Sequence, residues 1–172
     1  MTGTTTGRPG LLSAEHVALI AGGVSAIVAS RNAQHQTSLM RAVGASITPQ
    51  GDRITVYLNR SASTELLADL QAVGHIAVVF SEPSSHRTVQ VKASQVQLRE
   101  ALATDHELLQ RYLAAMEIQL QHIGFGPHYT RAMLAHRPED VVAVSFSPEQ
   151  AYDQTPGPRA GARLPGQEGA AP

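Results

Sequence analysis

The chain has 172 residues, 42% of them apolar and 16% charged, which is enough to bury one hydrophobic core and too apolar for a disordered polymer. Its net charge is −1, with Lys and Arg scattered along the chain; this argues against a nucleic-acid partner or a membrane-surface patch. Cysteine and tryptophan are both absent, so disulfides, thiolate nucleophiles and cysteine-ligated metals are excluded, and no tryptophan stacking platform exists for single strands.

Residues 1–10 are polar and rich in Thr and Gly. They lack the charged start and apolar stretch of a signal peptide and read as a disordered leader. No apolar run approaches the length of a bilayer span, and a cytoplasmic protein without a membrane partner is expected. Residues 11–153 form the expected folded body. From Gln154 to Pro172 the chain is dense in Pro, Gly and Ala and is expected to be a disordered tail or a dimer arm.

Ser13 can cap a short helix through Ile20, stopped by Gly22-Gly23. Val24–Ser30 reads as a strand of small and β-branched residues. Gln36–Thr48 reads as one long strand, with Leu39, Arg41, Val43, Ala45 and Ile47 on one parity. Pro49–Asp52 is a hairpin turn, and Arg53–Asn59 is the returning partner. The period then becomes helical: Leu66, Leu67, Leu70 and Val73 form a stripe that ends at Gly74. His75–Phe80 is a buried strand. Arg87–Leu98 is a further strand whose parity shifts, which a β-bulge near Ala93-Ser94 explains. Thr104–Glu107 reads as a capping box opening a long helix, with a buried stripe of Leu108, Leu109, Tyr112, Leu113, Met116, Leu120 and Ile123. A short helix from Pro127 to Ala135 and a last strand, Val141–Phe146, complete the body. Hairpins without regular βαβ alternation predict an α+β fold built on an antiparallel barrel.

The segment from Arg53 through Arg60-Ser61-Ala62-Ser63-Thr64 into the following helix is the most informative chemically. A helix start offers unpaired N–H groups and partial positive charge; Arg60 adds a full charge, and Ser61, Ser63 and Thr64 add hydroxyls. That assembly suits a phosphate monoester, and it equally describes an ordinary capped helix. Arg41, with Leu39 and Val43 at i±2, either reaches an anion from inside the barrel or snorkels at the sheet edge. Thr88, Gln90 and Lys92 share one strand face, which is either solvated or able to hydrogen-bond a ligand. Eight histidines are present, without metal-ligand spacing; His122 and His128 are the best pair.

The run VSAIVASRN, the strand with Arg41, and RITVYLNRSASTELLADLQAVGHIAVVFSEPSSHRTVQVKASQVQL resemble the flavin-binding core of the pyridoxamine 5′-phosphate oxidase-like split barrels, over roughly Ser13–Leu98. VAVSFSPEQAYDQTPGPRAG is similar to a subgroup of small uncharacterised members. The resemblance implies a homodimer holding FMN at its interface, with the phosphate near Arg41, Arg60, Ser61, Ser63 and Thr64. Tyr57 and Leu58 would lie beside the flavin, and Thr88 and Gln90 at its ring. Ser63 and Thr64 stand where well-studied members carry an Arg-Lys pair, and Thr88 where they carry Gln. No counterpart of the pyridoxal phosphate-recognising residues is present in the C-terminal half, so vitamin B6 oxidation is not expected. The resulting expectation is an FMN-dependent oxidoreductase acting on a small organic substrate. The alternative is a non-catalytic carrier of flavin, deazaflavin or haem.

Overall fold

A computed structural model describes residues 10–165. The expected leader lies almost wholly outside the described residues, as does the end of the expected tail. Ser13 caps α1 (Ala14–Ala21), its Oγ accepting the His16 N–H at 3.4 Å while His16 Nδ1 accepts the Ser13 N–H at 3.3 Å. Two antiparallel sheets follow. The first contains β1 (Ser25–Arg31), β2 (Thr37–Arg41), β5 (Ile76–Ser81), β6 (Thr88–Ala93) and β9 (Gln150–Asp153), in the order β2-β1-β5-β6-β9. The second contains β3 (Gly44–Ile47), β4 (Ile54–Asn59), β7 (Gln97–Glu100) and β8 (Val141–Phe146), in the order β3-β4-β8-β7. With its helices this is the expected α+β split barrel.

Two long strands expected from the sequence are each divided between the sheets. Gln36–Thr48 breaks at Ala42: the Ala42 N–H bonds Ala26 O at 2.9 Å in the first sheet, and the Val43 N–H bonds Tyr57 O at 2.8 Å in the second. Gly44 follows because a Cβ there would lie 2.3 Å from Leu109 Cδ2, so any larger residue would displace the buried Leu109 side chain of the crossing helix. Arg87–Leu98 breaks likewise. The parity shift read as a bulge is a change of sheet between β6 and β7, and the linker is pinned where Glu149 accepts the Ser94 N–H at 3.0 Å and its Oγ at 2.7 Å.

The core lies between the sheets. Val28, Val78, Phe80 and Val91 face Ile54, Val56, Leu58 and Val144, all fully or almost fully buried. Helix α2 (Thr64–Val73) closes one side with Leu66, Leu67 and Leu70, and Gly74 ends it at φ 77°, donating to Leu70 O at 3.0 Å. Ser38 Oγ on β2 donates to the buried Asp69 carboxylate of α2 at 2.6 Å, so one polar contact adds direction to the apolar packing.

Helix α3 (Ala103–Gln121) buries Leu109, Tyr112, Met116 and Leu120. Ile123, expected in that stripe, is exposed because the helix has ended and Gly124 turns the chain at φ 90°. The capping box is also displaced. Leu102 is the N-cap, and Asp105, at the third helical position, accepts its N–H at 2.7 Å. After α4 (Pro127–Met133) and a 3-10 turn (Pro138–Asp140), β8 is buried on both faces. Strand β9 was not anticipated. Residues 154–165 are no detached tail: Gly161, Ala162 and Leu164 hydrogen-bond Asp153 and Ala151, and Arg163 bridges Tyr152. No helix among the described residues is long and apolar enough to cross a membrane.

The Asp105 carboxylate ties three elements together. It accepts Tyr57 Oη from β4 at 2.8 Å, Arg99 Nη1 and Nη2 from β7 at 2.6 and 3.0 Å, and the Leu102 N–H of its own helix. Hydrogen bonds to the charged form, Arg99's foremost, lower its pKa to about 2, while burial and Asp105 raise the Tyr57 phenol to about 12. A carboxyl depressed in the folded state gives stability that is complete above its unfolded value near 3.8 and lost as pH falls through about 2. Arg99 is 41% exposed, so solvent screening limits the contribution to on the order of 1 kcal/mol. Denaturant midpoints measured between pH 2 and 7 are expected to fall toward pH 2 more steeply in the parent than in Asp105→Asn. Equal slopes would remove Asp105 from this role.

Candidate functional site

The strand-to-helix turn at the start of α2 holds four of the residues expected at a phosphate. The Thr64, Glu65 and Leu66 N–H groups carry no backbone partner among the described residues, and Ser63, at the N-cap, makes no side-chain cap bond. Ser63 is buried and its Oγ has no hydrogen-bond partner, an unusual condition for a hydroxyl. Arg60 and Thr64 line a cleft of about 390 Å³ with Leu67, Gln71, Leu98 and Glu100.

Two carboxylates already engage this turn. Glu100 on β7 accepts Arg60 Nη2 with both oxygens at 2.5 Å. Asp140 accepts the Ser61 Oγ at 2.6 Å and the Ser61 N–H at 3.1 Å, while the Arg60 N–H bonds Asp140 O at 2.6 Å. These bonds hold the Asp140 carboxyl below its ordinary value. Neither acid was expected here. Each lies 40 or more residues from its partner, and nothing local in the sequence links them.

Tyr57 and Leu58 are placed differently from a ring-contacting pair. Leu58 is fully buried in the core, and Tyr57 is buried with its hydroxyl committed to Asp105. Within one chain neither presents a face to a ligand.

Arg41, Thr88 and Gln90 belong to the outer face of the five-stranded sheet, away from the barrel interior. The reading of Arg41 from its i±2 neighbours fails because Leu39 is 63% exposed and Val43 lies past the change of sheet. Arg41 Nη1 donates to Ser25 Oγ at 2.6 Å; Ser25 pairs across the strands with Ser81, and Ser81 Oγ lies 2.8 Å from Thr88 Oγ1. A polar row therefore runs from Arg41 to Thr88 along one end of the sheet. Gln90 occupies the next row, opposite Val79 and Tyr152, and Lys92 lies 4.9 Å over the Tyr152 ring. Arg41 and Arg60 line separate clefts. His122, the C-cap of α3, and His128 in α4 are both exposed.

No protein-family model and no curated protein matches this chain by sequence. Solved structures match it in fold. A candidate pyridoxamine 5′-phosphate oxidase from Lactobacillus delbrueckii is 12% identical with a TM-score of 0.53, over 86% of this chain and 97% of that one. HupZ from Group A Streptococcus is 15% identical with a TM-score of 0.53, over 87% and 99%. An F420 reductase is 12% identical with a TM-score of 0.54, over 78% and 93%. At such identities the likeness is one of fold. Two antiparallel sheets sharing divided strands, closed by α2 and crossed by α3, give this chain the split-barrel fold of the pyridoxamine 5′-phosphate oxidase-like proteins.

Proposed function

We propose that the protein binds FMN at a homodimer interface and is a flavin-dependent oxidoreductase for a small organic substrate. The observation that carries the reading is the start of α2, where free N–H groups, the Thr64 hydroxyl and the buried, unpartnered Ser63 Oγ lie beside Arg60. A phosphate in this cleft would accept from the N–H groups, Thr64 and Arg60; Ser63, which is not among the lining residues, would have to turn its hydroxyl toward it. Glu100 is the obstacle and a weak one: Arg60 and Glu100 are 48% and 73% exposed, and such surface pairs are worth about 0–1 kcal/mol. A phosphate dianion can therefore take the guanidinium from Glu100. We assign Arg60, Ser61, Ser63 and Thr64 to the phosphate, and Thr88 and Gln90 to the polar edge of the ring.

These two sets occupy separate parts of one chain, which is why the reading includes a second copy. Support for its docking face comes from the outer side of the five-stranded sheet, where exposed Leu39 adjoins the half-exposed Ile27, Ala29, Ala77 and Val79. Contiguous apolar surface of this kind marks association sites. When bound, the flavin supplies the two-electron chemistry; the chain supplies binding, orientation and hydrogen bonds to the ring.

Titration of the purified protein with FMN, followed by quenching of flavin fluorescence, is expected to saturate at one FMN per chain. Arg60→Ala is expected to weaken binding roughly tenfold, the loss of a charge-assisted bond, and Glu100→Gln to strengthen it severalfold. Absence of saturation overturns the flavin reading, and saturation by a deazaflavin in place of FMN redirects it. Sedimentation of the parent is expected to give a dimer and of Leu39→Asp a monomer. A monomeric parent removes the interface.

A further inference from the structure

We propose that the cleft between the end of the five-stranded sheet and the α3–α4 hairpin binds a small aryl carboxylate. Its carboxylate would sit on Arg41 and its ring among Met116, Met133, Phe125 and Tyr129. This inference does not rest on the flavin reading: Arg60 and Thr64, assigned there to the phosphate, line a different cleft, and only Ser81, hydrogen-bonded to Thr88, adjoins the residues assigned to the ring.

The cleft has a volume of about 240 Å³ and two unlike ends. Arg41, Ser25 and Ser81 form the polar end. Arg41 is half-buried and, among the described residues, makes no salt bridge; the one hydrogen bond of its side chain is from Nη1 to Ser25 Oγ, at 2.6 Å. The nearby acids are engaged elsewhere. Glu82 accepts from Ser85 Oγ and, at 3.3 Å, from Gln119 Nε2, and Glu117 is paired with Arg131 at 2.8 Å. A partly desolvated guanidinium with free donors and no carboxylate matches a bidentate planar anion.

The other end is apolar and selects for a ring. Phe125 and Tyr129 stack with centroids 4.6 Å apart, tilted by 30°. They remain 42% and 50% exposed at the mouth, although burial of such side chains is normally favourable. Met116 and Met133 line the same space, and methionine packs well against aromatic rings. Gly124 at φ 90° and Gly126 make the turn that carries Phe125, and neither has an atom within 4 Å of a would-be Cβ. Phe125 therefore sits on an uncrowded turn, with Tyr129 in the first turn of α4 beside it.

The probe is 3-phenylpropionate, compared with 3-phenylpropionamide and cyclohexanepropionate, by calorimetry and ligand-observed NMR on the full chain. Saturable binding of one 3-phenylpropionate per chain is expected, with the amide and the saturated-ring acid each at least about fivefold weaker. Arg41→Gln is expected to weaken 3-phenylpropionate binding about tenfold, one lost charge-assisted bond. Tyr129→Ala, at an exposed position, is expected to weaken it severalfold with thermal stability unchanged. Equal binding of acid and amide, undiminished binding by Arg41→Gln, or no saturation would each overturn the assignment. An Arg41→Gln variant that loses FMN while keeping 3-phenylpropionate overturns it as well, and places Arg41 in the flavin site. Failure of FMN to bind the parent leaves this result untouched and bears on the flavin reading alone.

Discussion

Between Ala42 and Val43 the backbone leaves one hydrogen-bond ladder and joins another, and most of the architecture follows from that step. Ala42 gives its N–H to β1 and Val43 gives its own to β4, so the two sheets are fixed to each other covalently and by adjacent bonds. Strands β6 and β7 repeat the manoeuvre on the other side. A sheet that divides in this way cannot remain flat, because both halves must bury their inner faces against each other. The crossing also brings β3 under α3, where Gly44 and Leu109 meet with no space for a side chain. Asp105 then secures the arrangement by binding β4, β7 and the start of α3 at once.

The polar groups around this frame fall into two populations. At the α2 turn, Arg60 and Ser61 are held by Glu100 and Asp140, so a ligand there must exchange one set of bonds for another. Such exchange makes affinity small relative to the number of contacts, because each new bond replaces an existing one. Arg41 is the opposite case. It faces a serine hydroxyl and apolar side chains, with its charge unanswered by any described carboxylate.

Much of the barrel was legible in the sequence because it depends on local rules. The α2 stripe of Leu66, Leu67 and Leu70 with Gly74 behind it, the Ser13 cap and the 53–59 return strand all specify themselves within a few residues. The changes of sheet were not legible. Leu39, Arg41 and Val43 keep perfect alternation across the break, and alternation reports that a residue points to one side without saying of which sheet. The same blindness turned the β6–β7 crossing into a supposed bulge and set Arg41 beside core residues. Strand β9 was missed because Gln150–Asp153 is short and only Ala151 is buried; its pairing with β6 reaches across some 60 residues. At the α2 turn, the closeness of Arg60, Ser61, Ser63 and Thr64 was legible because they adjoin in sequence, whereas the acids that hold two of them lie 40 or more residues away and were not.

The stretch after Asp153 bears on how one edge of the five-stranded sheet is finished. A sheet ending in β9 would present a row of unmet backbone groups, and such rows recruit strands from neighbouring molecules. Here Gly161, Ala162 and Leu164 return along that row and take up Asp153 and Ala151, in a sequence of Pro, Gly and Ala that is itself a poor template for further pairing. The Pro/Gly-rich segment is thus a selvedge: it finishes the woven edge, and its low complexity is what lets it end the weave.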